Sequence, residues 1–204
     1  MNIPDREEFL QGCEEFEERE KRDAMYKVAT FLVKHFWGKP SEMADGLGVL
    51  FLTWNQAFYR YGGFNFDELE RTISENMSII ESFRTRNIFE LSVADEETIK
   101  DIFQKLLESL KSVASENKKE KKSPVSVAKA LHLLAPDFFP LWDDKIARKY
   151  NCYYNKCPAE KYVLFCKKIK AFAESAKSFT DRTDKTLIKL IDQYNYSKFT
   201  QHWI

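Results

Sequence analysis

Between Ser123 and Tyr150 the chain reads SPVSVAKALHLLAPDFFPLWDDKIARKY, and this stretch concentrates residue types that can do chemistry. Lys129 and His132 stand three apart, so on a helix they share one face. Pro136 and Pro140 then shape a connection that delivers Trp142 and Asp143 to the mouth of a further helix, Lys145 to Tyr150. An acid at that point accepts hydrogen bonds from free backbone N–H groups and is held in place. A fixed carboxylate can stabilise a developing cation or activate water. Asp143 is the first candidate for that role, with Asp144 the fallback. Just before the segment, Lys118, Lys119, Lys121 and Lys122 crowd a loop. With Lys129 they form a set suited to phosphates.

The segment resembles the second helix of the helix-hairpin-helix, with its following loop and aspartate, in the helix-hairpin-helix DNA glycosylase superfamily. Pro136, Pro140 and Asp143 occupy the places of that loop and its catalytic aspartate. A second likeness is Gly48-Val-Leu-Phe-Leu-Thr-Trp-Asn-Gln56, which resembles the superfamily's early apolar helix ending in a polar pair that faces DNA. The two stretches cover roughly a quarter of the chain. The resemblance implies a DNA-binding protein that excises a base, with Asp143 catalytic. It implies a base pocket bordered by Asn55, Gln56, His132 and Trp142, and no cofactor. The chain differs in the hairpin turn. Lys121-Lys122-Ser123-Pro124-Val125 stands where the superfamily has a Leu-Pro-Gly-x-Gly type turn, and the nucleophilic lysine of bifunctional members falls on Ser123.

The elements that must position these residues are helices. Pro4-Asp5 followed by Glu7 and Glu8 marks a helix start. Apolar residues return at helical spacing through Phe9, Cys13, Phe16, Val28, Phe31, Leu32 and Phe36. Glu14 to Arg22 between them is almost wholly charged, either an exposed turn of one helix or a break between two. Ser41 is expected to cap a central apolar helix to about Tyr61, stopped by Gly62-Gly63. Asn65 starts a third, to about Phe83. Asp95 caps another from Glu96 to about Ser115, where Ile99, Ile102, Phe103, Leu106, Leu107 and Leu110 form one stripe. Ser123 and Pro124 open the helix that holds Lys129. Pro158 opens one to about Phe179, and Thr183-Asp184 precedes the last. The expected fold is all-α, a compact multi-helix domain spanning 1–204, glycosylase-like in outline. The loop 116–123 is a possible divide between two lobes.

A chain of 204 residues with 44% hydrophobic residues and 17 phenylalanines can bury roughly 70% of its extended surface. The net charge is zero but uneven: residues 1–23 carry −5, 24–115 carry −3, and 116–189 carry +8. A polyanion therefore meets the second half. No apolar run nears the ~18–20 residues that span a bilayer, and the acidic start has no secretory pattern, so an intracellular, cytoplasmic protein without membrane contact is expected. Cys152, Cys157 and Cys166 are spaced C-x4-C and C-x8-C, unlike zinc sites, and no metal is expected. Phosphate-binding loops, nucleophile elbows and dinucleotide fingerprints are absent. His35, His132 and His202 are too scattered for a triad.

Each candidate has a structural reading beside the functional one. Asp143 can be an N-cap alone, Trp142 and Phe138-Phe139 core anchors, His132 a satisfied core histidine, and the lysine run a solvated loop. Trp54-Asn55-Gln56 can knit helices together. A protein partner could meet the acidic first helix, Glu14 to Glu20, and Tyr150, Tyr153 and Tyr154 could form a partner surface. A deep pocket joining Asp143, His132 and Asn55 would instead point to an enzyme on a small metabolite.

Overall fold

The computed structural model describes residues 3–21, 23–59, 63–113, 119–181 and 184–204, with nothing described of the side chain at 57. Tyr61, Gly62, Ser115, Lys118, Arg22 and Thr183, which the sequence reading used, lie outside the described residues. No strand occurs among those described. The fold is all-α, as the sequence predicts.

Helix α1, Arg6–Arg19, begins where Asp5 accepts the Glu8 N–H at 2.9 Å. The charged stretch after it is a break: Asp23 takes a left-handed conformation at φ 38° and starts α2, Ala24–His35. Helix α3, Pro40–Trp54, starts two residues earlier than expected, with Lys39 rather than Ser41 as N-cap and Pro40 in the first turn. It also stops early, because Thr53 turns its hydroxyl back on the Val49 carbonyl and Asn55 leaves helical geometry. A short turn, α4 (Gln56–Tyr59), follows. The single helix expected to Phe83 is two, α5 (Phe66–Glu75) and α6 (Met77–Arg84). The break falls at Asn76, whose buried side-chain amide donates to the Thr72 carbonyl.

After two 3-10 turns come α7, Glu96–Ser109, and α8, Pro124–Leu134. Ser123 caps α8 by accepting the Ser126 N–H. Then follow α9 (Asp144–Lys149), α10 (Pro158–Ala176) and α11 (Leu187–Asn195). The end of the chain widens into a π-helical segment, Tyr196–Gln201. Thr186 caps α11 rather than the residues before it.

Three packings place the site. Helices α2 and α3 form an antiparallel hairpin. Helix α1 packs on α11, joining the two chain ends, and α7 packs on α8 and α10. Phe9 anchors the first contact against Phe172, Phe179 and Tyr194, with ring centroids 5.8 Å apart in each pair. Trp142, Phe138 and Phe139 are buried, so the connection between α8 and α9 is nailed to the core through its aromatics. These three do serve as core anchors. Cys13 donates to the Leu190 carbonyl, and Cys152 and Cys166 are buried.

Gly12 lets α1 approach α11. A Cβ there would meet the Tyr194 ring at 2.7 Å and the Tyr194 Cα at 3.3 Å, and neither can yield without moving α11. Gly12→Val should therefore cost about 1–3 kcal/mol by overpacking. Differential scanning calorimetry should show a melting temperature lower by several degrees, and an unchanged value would contradict this packing.

Candidate functional site

A cavity of about 360 Å³ opens where five helix ends converge. Phe16 and Glu20 come from the end of α1, and Asp23 from the turn before α2. The end of α3 gives Trp54 and Asn55, and the start of α8 gives Val125 and Lys129. The α8–α9 connection gives Trp142 and Asp143, while α11 gives Lys189 and Asp192.

Asp143 is the N-cap of α9, as the sequence predicts. One carboxylate oxygen accepts the Ile146 N–H at 2.7 Å, and the other accepts the Thr200 hydroxyl at 2.5 Å. The wide π-helical turn brings Thr200 there, and Lys145 holds that turn through the Thr200 carbonyl. Both oxygens are thus fixed, and the carboxylate is also part of the cavity wall.

Lys129, on α8 as the sequence predicts and expected among the phosphate holders, lies in the cavity wall. It is half-buried and donates to Asn55 Oδ1 and to the Trp54 carbonyl. Asn55 in turn donates to Ser126 Oγ, which bonds Ser123 Oγ. Lys129 is therefore tied to the cap of its own helix. Burial pulls its ammonium down to about 8, and the carboxylates of Asp192 and Asp143 only partly oppose that. The amine thus loses its proton at about pH 8, whereas a free lysine does so near 10.4.

Lys189 is 1% exposed. Its ammonium lies 3.2 Å from Asp192 and 3.3 Å from Asp23, with the Tyr26 ring 4.1 Å away and the Phe16 and Trp54 rings behind. Burial works against its charge, but Asp192 and Asp23 outweigh it and hold the proton more firmly than in a free lysine. This cluster was missed in the sequence. Its one visible trace is a lysine and an aspartate three apart within the apolar run Leu187-Ile-Lys-Leu-Ile-Asp192.

Other sequence candidates fall elsewhere. His132 is fully buried beneath the cavity rather than in its wall. Its Nδ1 pairs with the Phe139 carbonyl at 2.8 Å and its Nε2 with the Tyr26 hydroxyl at 2.9 Å. A carbonyl can only accept, so Nδ1 carries the proton and Tyr26 donates to Nε2. It is the satisfied core histidine of the structural reading. Gln56 is exposed on α4 and takes no part in the cavity wall. Asp144 points outward and pairs with Arg148 at 2.8 Å. Of the loop lysines, Lys119 and Lys121 are exposed, and Lys122 pairs with Glu108. Among the described residues no group of His, Cys, Asp and Glu is placed to hold a metal, and no helix is long and apolar enough to cross a membrane.

No family model, curated protein or solved structure matches this chain.

Burial pushes the His132 imidazole from about 6.5 to about 3, with Lys189 adding to the fall and the Phe139 hydrogen bond opposing it. The folded protein thus refuses a proton that the unfolded chain accepts below pH 6.5. The stability from neutral His132 is complete above that pH and drains away as pH falls toward 3. Melting curves from pH 7.5 to 4 should show a steeper loss for wild type than for His132→Gln, whose amide offers a donor and an acceptor without titrating. The difference should approach about 1.4 kcal/mol per pH unit, and parallel curves would refute it.

Proposed function

We propose that this protein binds duplex DNA and cleaves the bond between a base and its sugar, with Asp143 stabilising the sugar cation. The observation that supports this reading is that Asp143, Lys129, Asn55 and Trp142 share the wall of one cavity. Its size falls near the low end for a small-ligand site, suited to one extruded nucleoside rather than to a duplex.

The charges favour the same reading. The cavity wall carries Glu20, Asp23, Asp143 and Asp192 against Lys129 and Lys189. An anionic interior repels phosphate and stabilises a group that becomes positive as it reacts. Phosphates would stay outside, where Lys119 and Lys121 are exposed beside the start of α8. A flipped nucleotide puts its base and sugar inside and its phosphates at the rim.

The chemistry then divides between two side chains. As the C1′–N bond breaks, its electron pair leaves with the base, and the sugar becomes cationic opposite Asp143. Lys129, protonated below about pH 8, gives its proton to the departing nitrogen. Water completes the sugar with a hydroxyl, and the proton that water sheds restores Lys129. The clamp by Ile146 and Thr200 keeps the Asp143 charge from rotating away.

The rival reading, a scaffold using the acids of α1 as its partner face, draws less support. Within Glu14 to Glu20, Glu15 pairs with Arg19 and Glu17 with Lys185, so part of that charge is already answered within the chain.

Asp143→Asn is an informative variant, because asparagine caps a helix about as well as aspartate. With duplexes carrying damaged or mismatched bases, single-turnover excision should fall by about two to three orders of magnitude. The melting temperature and the anisotropy of a labelled duplex should hardly change. Wild-type protein that releases no base and binds no duplex at low salt would overturn the reading. Above pH 8 the wild-type rate should decline as Lys129 loses its proton. Lys129→Met should be slower throughout and lack that decline, and a persisting alkaline limb would exclude Lys129 as the acid.

A further inference from the structure

Two lysines line the cavity, and their partners differ in kind. Lys189 is held by the carboxylates of Asp192 and Asp23. Lys129 is held by neutral oxygens, Asn55 Oδ1 and the Trp54 carbonyl, the latter at 3.3 Å. The Trp54 ring also lies 4.9 Å from its ammonium. Trp54 ends α3, so its carbonyl is among the last that a helix leaves without an internal partner. A carboxylate resists the loss of the proton it faces, but a neutral acceptor holds an amine N–H in either charge state.

The orientation of Asn55 follows from what Lys129 can offer. An ammonium only donates, so it must meet the oxygen end of the amide. The nitrogen end then turns to Ser126 Oγ, which accepts and gives its own proton to Ser123 Oγ at 2.9 Å. Ser123 Oγ also accepts the Ser126 N–H. The chain from Lys129 to Ser123 therefore runs in one direction, and both ends of the Asn55 amide are engaged inside the protein. That leaves the third ammonium N–H. An amine that has lost it keeps two N–H groups, enough for the two acceptors, and its lone pair stands where the third proton stood.

We infer that Asn55 is the positioning residue of Lys129: with the Trp54 carbonyl it holds two N–H groups of the amine and leaves the third position, proton or lone pair, facing the cavity. The inference rests on the reading of Lys129 as the acid of base excision. It adds that the same amine takes back the proton shed by water without turning. The charged and titratable groups that share the cavity with Lys129 are Asp143, Asp192, Lys189, Glu20, Asp23 and Tyr196, and substitutions at position 55 leave all of them in place.

The test compares wild type with Asn55→Asp and Asn55→Ala. Position 55 is half-buried, and melting temperatures within a few degrees of wild type confirm the fold. If Asn55→Ala does not fold, Asn55→Asp alone decides. Each protein is labelled with acetic anhydride across a pH series without DNA. Mass spectrometry reads acetylation of Lys129 against the exposed Lys119. Wild-type Lys129 should react with a midpoint near pH 8. Asn55→Asp sets a carboxylate on the amine and should raise that midpoint by about one pH unit or more, so that labelling at pH 8 falls roughly fivefold. Single-turnover excision by Asn55→Ala should fall about tenfold through misplacement of the amine. Asn55→Asp keeps an acceptor, so it should recover most of that loss and carry its alkaline limb upward with the labelling midpoint. An unmoved midpoint in Asn55→Asp would overturn the positioning role, and base release by wild type would leave the cavity reading intact. A rate that falls in both variants with no shift of the limb would also overturn it, in favour of a purely structural Asn55. A shifted midpoint in a protein whose wild type releases no base would uphold the positioning of the amine and defeat the excision reading.

Discussion

The ammonium of Lys189 is the constraint around which the site is organised. A charge this deeply enclosed is tolerated only when its partners are close and fixed. Asp192 supplies one from the same helix. Asp23 supplies the other from the turn between α1 and α2, and that turn takes a left-handed conformation that an aspartate accepts more readily than most residues. Tyr26 and Trp54 then close around the cation. The pairing therefore ties the turn between α1 and α2, the end of α3 and helix α11 to one point. Removing either carboxylate would leave a buried charge under-compensated. The walls of the cavity are as rigid as this cluster.

A second, neutral network braces the opposite wall. Phe139, His132 and Tyr26 form a chain of hydrogen bonds from the α8–α9 connection to the ring that faces Lys189. Burial raises the Tyr26 hydroxyl to about 12, so it remains a donor at any physiological pH. The imidazole stays a neutral acceptor. Each member has its partner, so the polar groups cost little where they lie. The connection that presents Asp143 and the aromatic stack around Lys189 are thus held in mutual register.

The local signals in the sequence were legible because caps are local. Asp5, Asn65, Ser123 and Asp143 each cap the helix predicted to follow, through a hydrogen bond to a backbone N–H three residues on. The apolar stripe of α7 is buried as its spacing requires. What failed was whatever depended on a competing side-chain bond or on distance in the chain. The early end of α3 at Thr53 and the break at Asn76 come from side chains bonding backbone carbonyls, which hydrophobic periodicity does not register. Asn55 and Gln56 are neighbours of the same chemistry. Only Asn55, reached by Lys129 and Ser126, turns into the cavity. Lys189 and Asp192 looked like ordinary polar positions because Asp23 lies 166 residues away from Lys189.

The geometry also explains why the site sits at helix ends. A residue inside a helix has its backbone polar groups satisfied by its own turn, and can contribute only a side chain. A terminal residue contributes that side chain and a backbone still seeking partners. Asp143 shows the consequence. As a cap it spends one oxygen on the Ile146 N–H, which fixes the carboxyl plane. The Thr200 hydroxyl fixes the second oxygen from another segment. A charge held at two points needs no reorganisation when a cation forms beside it, whereas a mobile carboxylate would have to be immobilised at that moment. The stability of α9 and the preorganisation of the cavity are thus served by the same hydrogen bonds, and a neutral side chain that keeps those bonds separates the charge from the scaffold.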